Sequence, residues 1–322
     1  MKKTIIILFG ALLLCAICYA CRKKTHRASN DGPKIGLALG GGGAKAAAEI
    51  GVLKFLDEEG IKIDYIAGTS MGALVGGLYA AGYTANEIDS LWRNEDWLSL
   101  FDKKAIFSIA GDRSFLGLVK GDVLENNLRR VLAEKGCTRI GDAKIKFRCT
   151  ASQIIDNNDL KEYVFDSDDD MARAIRASMT YPLGYGPVNY NGMELVDGGM
   201  LNNLPVDVVK KMGAEMEEEK VIVIAVDLEM QKHNNKKNIN IKLVHWLIDW
   251  CLTHSDDINK HNKNWEDADI CINPFNDDKI SKKFSITSFS EDDANEMMSL
   301  GYKGAKINTT KIKALTQKKN RH

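Results

Sequence analysis

Residues 61–82 read I-K-I-D-Y-I-A-G-T-S-M-G-A-L-V-G-G-L-Y-A-A-G. The first part, 61–66, has the apolar and partly alternating pattern of a strand in a covered sheet. The last part, 73–81, continues with helical character, and Gly82 predicts the end of that helix. The two parts are joined by Gly68-Thr69-Ser70-Met71-Gly72, which has the G-x-S-x-G pattern of a nucleophile elbow. The stretch therefore predicts a strand, a sharp turn and a helix.

This turn makes Ser70 the candidate nucleophile. Gly68 and Gly72 carry no side chains where the turn is tightest, so the serine oxygen can project from the edge of the sheet. The helix that follows directs its N-terminal amides at the same point, beginning with the amide of Met71. Such amides suit an oxyanion, which is the charge that acyl transfer develops on the carbonyl oxygen.

A second glycine-rich turn precedes the elbow. The apolar run 34–39 predicts a buried strand, followed by Gly40-Gly41-Gly42-Gly43-Ala44-Lys45 and a helix over about 46–59. A P-loop would need Ser or Thr after the lysine, where this chain has Ala46, and the acidic residue of a dinucleotide site is missing. The loop is better interpreted as a nest of backbone amides, with Gly41, Gly42 and Gly43 as the candidate oxyanion donors.

The third candidate element is a hairpin over 190–199. Asn191-Gly192 supplies its turn, and its second strand delivers Asp197 into Gly198-Gly199. This aspartate is either a catalytic carboxylate or a residue that caps a turn. None of the six histidines lies between the glycine loop and the last core strand, 221–226. A Ser-Asp dyad is therefore simpler than a Ser-His-Asp triad, which would need the region after 229 to fold back over the elbow.

Composition sets the limits of these predictions. The 322 residues are 44% hydrophobic, which suffices for one large domain or two small ones. The charges balance, with 44 basic and 44 acidic residues, which argues against a nucleic-acid-binding protein. Cys137, Cys149, Cys251 and Cys271 lack metal-binding spacing, so buried free thiols are expected. The Ser-Asp chemistry predicted above requires neither a metal nor a cofactor.

The N-terminus predicts export. Lys2 and Lys3 precede an apolar run, 5–20, that is short for a membrane-spanning helix and typical of a signal peptide. Ala20-Cys21 resembles a bacterial lipoprotein cleavage site, so we expect lipidation of Cys21, a tether over 21–33 and an anchored protein of the bacterial cell envelope. An ordinary signal peptidase that cuts after Ala20 would leave a soluble periplasmic protein, and an uncleaved anchor is a third alternative.

Two apolar features have two interpretations each. Trp92, Trp97, Phe101 and Phe107 either form core or line an acyl pocket, and core is the commoner outcome. The amphipathic segment 239–252 either packs on the sheet or forms a lid that touches a membrane, and we favour packing on the sheet.

Together these motifs resemble the patatin-like phospholipases. The similarity lies in 37–45 with the following 51–53, in the elbow 68–72, in 174–178, and in Asp197-Gly198-Gly199 with Asn202-Asn203-Leu204-Pro205. It implies a three-layer α/β/α fold with a mostly parallel central sheet, a catalytic core over 34–228 and an extension over 229–322 packed on it. One departure is Ala46, where members commonly have glycine, because its methyl group could alter the loop.

The resemblance implies a serine lipid acyl hydrolase of the phospholipase A type. Ser70 would attack a fatty-acyl ester of a membrane phospholipid, Asp197 would accept its proton, and Lys45 would orient the glycine loop or form a surface salt bridge. Two alternatives are a catalytically weak lipid-binding or scaffolding lipoprotein, and a neutral-lipid or thioester acyl hydrolase or acyltransferase.

Overall fold

The fold was analysed in a computed structural model, which describes residues 32–93, 121–155, 159–181, 185–218, 220–229 and 256–316. Several of the predictions above fall outside these residues. They concern the signal peptide 1–20, Cys21 and most of the tether, Trp97, Phe101, Phe107, Cys251 and the amphipathic segment 239–252.

The centre of the described structure is an eight-stranded sheet with the order β5-β6-β3-β2-β1-β7-β8, in which β4 also pairs with β3. The strands are β1 (Lys34–Leu39), β2 (Tyr65–Thr69), β3 (Lys146–Ile154), β4 (Leu160–Phe165), β5 (Val188–Tyr190), β6 (Met193–Asp197), β7 (Val221–Val226) and β8 (Ile270–Ile272). Strands β3, β2, β1, β7 and β8 run parallel. Strands β4 and β6 each pair antiparallel with β3, and β5 pairs antiparallel with β6.

Helices cover both faces of this sheet. Their bounds are α1 (Ala47–Glu58), α2 (Met71–Ala81), α3 (Ala85–Arg93), α4 (Asp122–Glu134), α5 (Met171–Ser178), α6 (Val206–Glu215), α7 (Asp256–Asp267), α8 (Asp278–Lys283), α9 (Glu291–Ile307) and α10 (Thr309–Thr316). A short 3-10 helix, Gly43–Ala46, precedes α1, and another, Gly198–Met200, follows β6.

The alternation of side chains along β1 shows why there are three layers. Leu37 and Leu39 belong to the larger core, which includes residues of α1, α2, α5 and α9. Ala38 points to the other face, into a smaller core with Val209 of α6 and, at its edge, Trp265 of α7. Because successive side chains of a strand point to opposite faces, one apolar strand supplies both cores. The three-layer α/β/α architecture and the mostly parallel sheet are confirmed.

The C-terminal part of the chain packs closely on the helix after the glycine loop. Helices α1 and α9 approach through glycines: a Cβ added at Gly51 would lie 1.9 Å from the carbonyl oxygen of Met298, and one at Gly301 would lie 1.8 Å from that of Ala48. Strand β8 extends the sheet beyond β7. Residues 256–316 therefore complete the sheet edge and contribute helices to both layers.

The strand before the elbow begins later than the sequence pattern predicts. Strand β2 starts at Tyr65, whereas the apolar pattern starts at Ile61. The N–H of Ile61 donates to the carbonyl oxygen of Leu56 at 2.9 Å, so Ile61 caps the C-terminus of α1 instead of pairing in the sheet. The carboxylate of Asp64 then accepts the N–H of Ile35 at 3.0 Å and closes the connection. The strands predicted at 34–39 and 221–226 are confirmed.

Two negative findings apply to the described ranges only. No helix in them has the length and apolar character needed to cross a membrane. No group of three or more His, Cys, Asp or Glu side chains in them could hold a metal ion. Cys137 and Cys149 are buried free thiols and Cys271 is a partly buried one, as expected for the cysteines that the structure describes.

Candidate active site

Ser70 occupies the turn between β2 and α2 with φ 54° and ψ −124°. A positive φ is unfavourable for a residue with a side chain and is characteristic of a strained functional turn. A Cβ at Gly68 would lie 2.5 Å from the carbonyl oxygen of Gly72, and one at Gly72 would lie 2.5 Å from that of Leu39. Glycine is thus required on both sides of Ser70, and the predicted strand-turn-helix elbow is confirmed.

The hydroxyl of Ser70 donates a hydrogen bond to Asp197, with 2.7 Å between Oγ and Oδ2. Asp197 is the last residue of β6, and its backbone N–H donates to the carbonyl oxygen of Thr180 at 2.9 Å. The other carboxylate oxygen accepts the N–H of Gly199 at 2.8 Å. The sheet and the 3-10 turn therefore hold the carboxylate at the serine from two sides.

The side chain of Asp197 is buried, and only 4% of the residue's surface is exposed to solvent. Burial raises the pKa of this carboxyl group from 3.8 to about 6, while the hydrogen bonds from Ser70 and the N–H of Gly199 act in the opposite direction. Gly198 lets β3 approach closely, because a Cβ there would lie 2.3 Å from Oγ1 of Thr150. The site holds a carboxylate that is a stronger base than a solvated aspartate.

The glycine loop lies directly beside the serine, but Gly41 differs from the prediction. Its N–H donates to the carbonyl oxygen of Asn203 at 3.1 Å and so is not free to receive an oxyanion. The amides of Gly42, Gly43 and Met71 donate no hydrogen bond within the described part of the chain, and all three residues line the cavity at Ser70. The candidate donors are therefore narrowed to these three.

The bend of the loop depends on Gly43, which has φ +57° and lies so close to Ile286 that a Cβ would come within 2.5 Å of its carbonyl oxygen. That carbonyl accepts the N–H of Ala44 at 2.9 Å. Ala46 has φ −62° and ψ −13°, an ordinary helical conformation, and is fully buried. The methyl group of Ala46 therefore fits without distorting the backbone.

The ammonium group of Lys45 lies over the ring of Phe275. Its Nζ lies 5.2 Å from the centre of that ring. Burial lowers the pKa of the Lys45 ammonium group, and the carboxylates of Glu229 and Asp227 act in the opposite direction. Within the described residues the ammonium forms no ion pair at 4.0 Å or less, so its main contact is with the aromatic ring.

Ser70 and Asp197 open onto a cavity of ≈ 300 Å³. Its polar end carries these two side chains, the glycine loop and Asn203. Glu229 and Thr287 also line it, and most of the remaining wall is apolar or aromatic. The apolar and aromatic lining residues are Met71, Met179, Tyr181, Tyr185, Met200, Ile286 and Phe289. Trp92 does not line this cavity but is buried in the core and stacks on Phe289, with ring centres 6.3 Å apart. An apolar cavity that ends at a nucleophile suits an acyl chain.

The structure adds residues to which sequence reasoning assigned no role. Ser178, the last residue of α5, accepts the N–H of Ser70 at 2.8 Å. Asn203 contacts the glycine loop, and Ile286 anchors it from the C-terminal part of the chain. Ser178 and Asn203 lie in the motifs 174–178 and 202–205, so their positions in those motifs could have marked them as site residues. No local sequence pattern marks Ile286.

One histidine, His261, lies within the described residues. It belongs to α7, and its Nε2 lies 3.2 Å from Oδ2 of the buried Asp227. Asp227 follows β7, on the other side of the glycine loop from Asp197. In the described part of the chain, Ser70 is thus paired with a carboxylate.

Comparison with known proteins agrees with this geometry. A model of the family described as patatin-like phospholipase matches residues 37–210, which is more than half of the chain and includes the glycine loop, the elbow and Asp197. The chain belongs to the patatin-like phospholipase family.

Relatives within this family come from fungi and animals. The chain is 32% identical over 208 residues to Lysophospholipase NTE1 of Meyerozyma guilliermondii, across 60% of this chain and 12% of that protein. It is 30% identical over 224 residues to Patatin-like phospholipase domain-containing protein 6 of Homo sapiens, across 68% of this chain and 15% of that protein. The alignments thus span less than a sixth of these much longer relatives.

Among solved structures, VipD from Legionella pneumophila is similar in fold, with a TM-score of 0.50 and 17% identity. The match covers 86% of this chain and 67% of VipD. At this identity the likeness concerns the architecture alone.

Proposed function

We propose that this protein is a serine lipid acyl hydrolase, a phospholipase A-like esterase that works with a Ser-Asp dyad. The observation that carries the proposal is the 2.7 Å hydrogen bond from the hydroxyl of Ser70 to the buried carboxylate of Asp197, at the polar end of an apolar cavity. Family membership and the relatives named lysophospholipases support a lipid ester as substrate.

In the first half of the reaction, Oγ of Ser70 attacks the carbonyl carbon of the acyl ester while Asp197 accepts the hydroxyl proton. The carbonyl oxygen becomes negatively charged and is held by the N–H groups of Gly42, Gly43 and Met71. When the tetrahedral intermediate collapses, the bond to the alcohol oxygen breaks and Asp197 returns the proton to that oxygen. The products are an acyl-enzyme ester on Ser70 and a free alcohol.

In the second half, water replaces the alcohol. Asp197 takes a proton from the water, whose oxygen attacks the acyl-enzyme carbonyl, and the same amides receive the charge again. The proton then returns to Oγ of Ser70, which releases a fatty acid and restores the enzyme. A pKa of about 6 allows Asp197 to be ionised at neutral pH and still be basic enough to accept a proton transiently.

The location of the protein is a separate part of the proposal. The predicted export signal over 1–20 and lipidation at Cys21 would attach the enzyme to a membrane of the bacterial envelope, next to phospholipid substrates. Labelling with radioactive palmitate tests this: incorporation into the wild-type chain but not into Cys21→Ser supports lipidation, and equal incorporation rejects it.

The test of the activity uses the purified chain with a p-nitrophenyl ester and with a lysophospholipid in micelles. We expect hydrolysis by the wild type and at least a 10³-fold loss in Ser70→Ala and in Asp197→Asn, because each removes one partner of the dyad. Ser90→Ala is the matched control, since Ser90 is an exposed serine of α3. Each variant is checked for folding by circular dichroism.

Labelling with a fluorophosphonate identifies the activated serine. Labelling of the wild type at Ser70, and none in Ser70→Ala, is expected. Absence of both labelling and turnover would favour the lipid-binding lipoprotein. Labelling with turnover of triacylglycerol or acyl thioesters, but not of phospholipids, would assign the same dyad to the neutral-lipid or thioester class.

A further inference from the structure

We propose that Asn203 is a positioning residue that fixes the glycine loop relative to the Ser70–Asp197 pair. The proposal rests on the hydrolase function above and deepens it. Asn203 lies in the segment between β6 and α6, and its side chain is almost completely buried at the polar end of the cavity. Its contacts connect the loop that carries the candidate oxyanion donors to the segment that carries the carboxylate.

The first observation is that Asn203 binds both backbone polar groups of one residue, Gly41. The N–H of Gly41 donates to the backbone carbonyl oxygen of Asn203 at 3.1 Å, and Nδ2 of Asn203 donates to the carbonyl oxygen of Gly41 at 3.2 Å. A residue held in both directions can neither slide nor rotate without losing a buried hydrogen bond. Gly42 and Gly43 follow directly, so the position of their amides is set from this point.

The second observation is that the side-chain oxygen of Asn203 fits between two glycines. A Cβ at Gly41 would lie 2.4 Å from Oδ1 of Asn203, and a Cβ at Gly199 would lie 2.7 Å from the same atom. Gly199 also supplies the N–H that holds Asp197 at 2.8 Å. The carboxamide therefore fills the space between the glycine loop and the turn after the carboxylate, and the spacing between them depends on its size.

The third observation fixes which way the carboxamide faces. Nδ2 also donates to Oε1 of Glu229 at 2.7 Å, so it has two acceptors, a carbonyl oxygen and a carboxylate. A flipped carboxamide would turn its oxygen toward both acceptors, which is repulsive. Glu229 is held in turn, because its N–H donates to Asp227 at 3.0 Å and its carbonyl oxygen accepts from Asn273 at 2.6 Å. Asn203 thus has one favourable orientation.

A functional consequence follows from this arrangement. Oxyanion donors act on charge that develops in the transition state, and a displacement of about 1 Å can cost about 10²-fold in rate. Substrate binding in the apolar cavity depends on other side chains. Loss of the Asn203 contacts should therefore lower kcat and leave KM nearly unchanged.

The central variant is Asn203→Asp, which keeps the shape of the side chain but replaces the Nδ2 donor with an oxygen. We expect kcat to fall about 10- to 100-fold with KM changed less than about 3-fold. A trifluoromethyl ketone, which forms an oxyanion on Ser70, should bind more weakly by the same factor as kcat falls, while a non-hydrolysable ether lipid should bind as in the wild type. Asn203→Ser removes the carboxamide without adding charge and provides a second variant should Asn203→Asp not fold.

A rescue experiment separates positioning from general stability. Adding Glu229→Gln to Asn203→Asp restores a donor opposite an acceptor, so we expect kcat of the double variant to be at least 3-fold higher than that of Asn203→Asp alone. Asn308→Asp is the matched control, because Asn308 also donates through Nδ2 to a backbone carbonyl, that of Gly304, in the α9–α10 region. This control should keep wild-type kcat.

Three outcomes would overturn the proposal. They are an unchanged kcat in folded Asn203→Asp or Asn203→Ser, an equal loss of affinity for the trifluoromethyl ketone and the ether lipid, and no recovery in the double variant. Failure of the proposed function is recognised separately, because the wild type would then hydrolyse none of the esters.

Discussion

The backbone N–H of Ser70 donates to the hydroxyl oxygen of Ser178 at 2.8 Å, across 108 residues of sequence. The nucleophile has an unfavourable backbone conformation, with φ 54°. Ser178 ends α5 and is fully buried, so it binds the elbow from the neighbouring helix at the residue that carries this strain. The elbow is therefore stabilised by tertiary contacts as well as by its own glycines.

Replacing Ser178 tests this support. In Ser178→Ala the N–H of Ser70 loses its acceptor in a buried site, which should lower the free energy of unfolding by about 1–3 kcal/mol. We also expect lower kcat, because the serine can relax from its reactive orientation. Chemical denaturation and steady-state kinetics measure both effects. In Ser90→Ala, which alters an exposed hydroxyl, both should stay within experimental error, and equal behaviour of the two variants would contradict the prediction.

The pKa of Asp197 predicts the pH dependence of activity. The carboxyl group must be ionised to accept a proton, and burial raises its pKa to about 6. We therefore expect kcat/KM to rise with pH through a single ionisation near pH 6 and to level off above it. Initial rates from pH 4 to 9 in constant ionic strength measure this profile. A midpoint near the value of a solvated aspartate, about 4, would contradict it.

The same pKa predicts the opposite trend for stability. Between the unfolded value of 3.8 and the folded value of about 6, the folded state binds more protons at Asp197 than the unfolded state. The contribution of this group is therefore fully present below pH 3.8 and is lost as the pH rises through about 6, by at most about 3 kcal/mol. Comparing the free energies of unfolding of the wild type and Asp197→Asn across this range isolates the contribution. The value for the wild type minus that for the variant should fall as the pH rises, and a constant value would reject the assignment.

Two substitutions in the glycine loop should behave differently. Gly43→Ala places a methyl group on a residue with φ +57°, 2.5 Å from the carbonyl oxygen of Ile286, so we expect at least a 10-fold loss of kcat/KM. Ala46→Gly should leave kcat/KM within about 2-fold and cost about 1 kcal/mol of stability, because Ala46 is already helical. A gain in activity in Ala46→Gly would show that the methyl group does restrict the loop.

The close contact between α1 and α9 predicts that adding a side chain at this interface strongly lowers the stability of the fold. In Gly301→Ala the new methyl group would come 1.8 Å from the carbonyl oxygen of Ala48, which requires the helices to separate. We expect a loss of at least about 2 kcal/mol, measured by thermal or chemical unfolding. Gly304→Ala in the same helix is the control, since its methyl group would meet only the Cγ2 of Ile272 at 3.0 Å. Its smaller cost is partly offset by better helix propensity.

Much of the site could be predicted from the sequence because the chemistry lies in local patterns. The G-x-S-x-G turn identifies Ser70, the hairpin after Asn191-Gly192 delivers Asp197, and the missing histidine leaves the carboxylate as the simplest base. The apolar runs of β1 and β7 are also local, so these strands have the predicted bounds. The start of β2 could not be predicted in this way, because an apolar pattern does not show the hydrogen bond between Ile61 and the end of α1.

The order of residues alone identifies a nucleophile, a base and an amide nest, because backbone turns of this kind need glycine at fixed spacings. Which backbone amides remain available to bind an oxyanion depends on contacts between distant parts of the chain. The N–H of Gly41 donates to the carbonyl oxygen of Asn203, and the N–H of Ser70 donates to Ser178. The carbonyl oxygen of Ile286 accepts a hydrogen bond from the glycine loop. These contacts join segments that are distant in sequence. Which residues meet depends on how the helices and loops pack on the sheet, and a local sequence pattern carries no information about that packing.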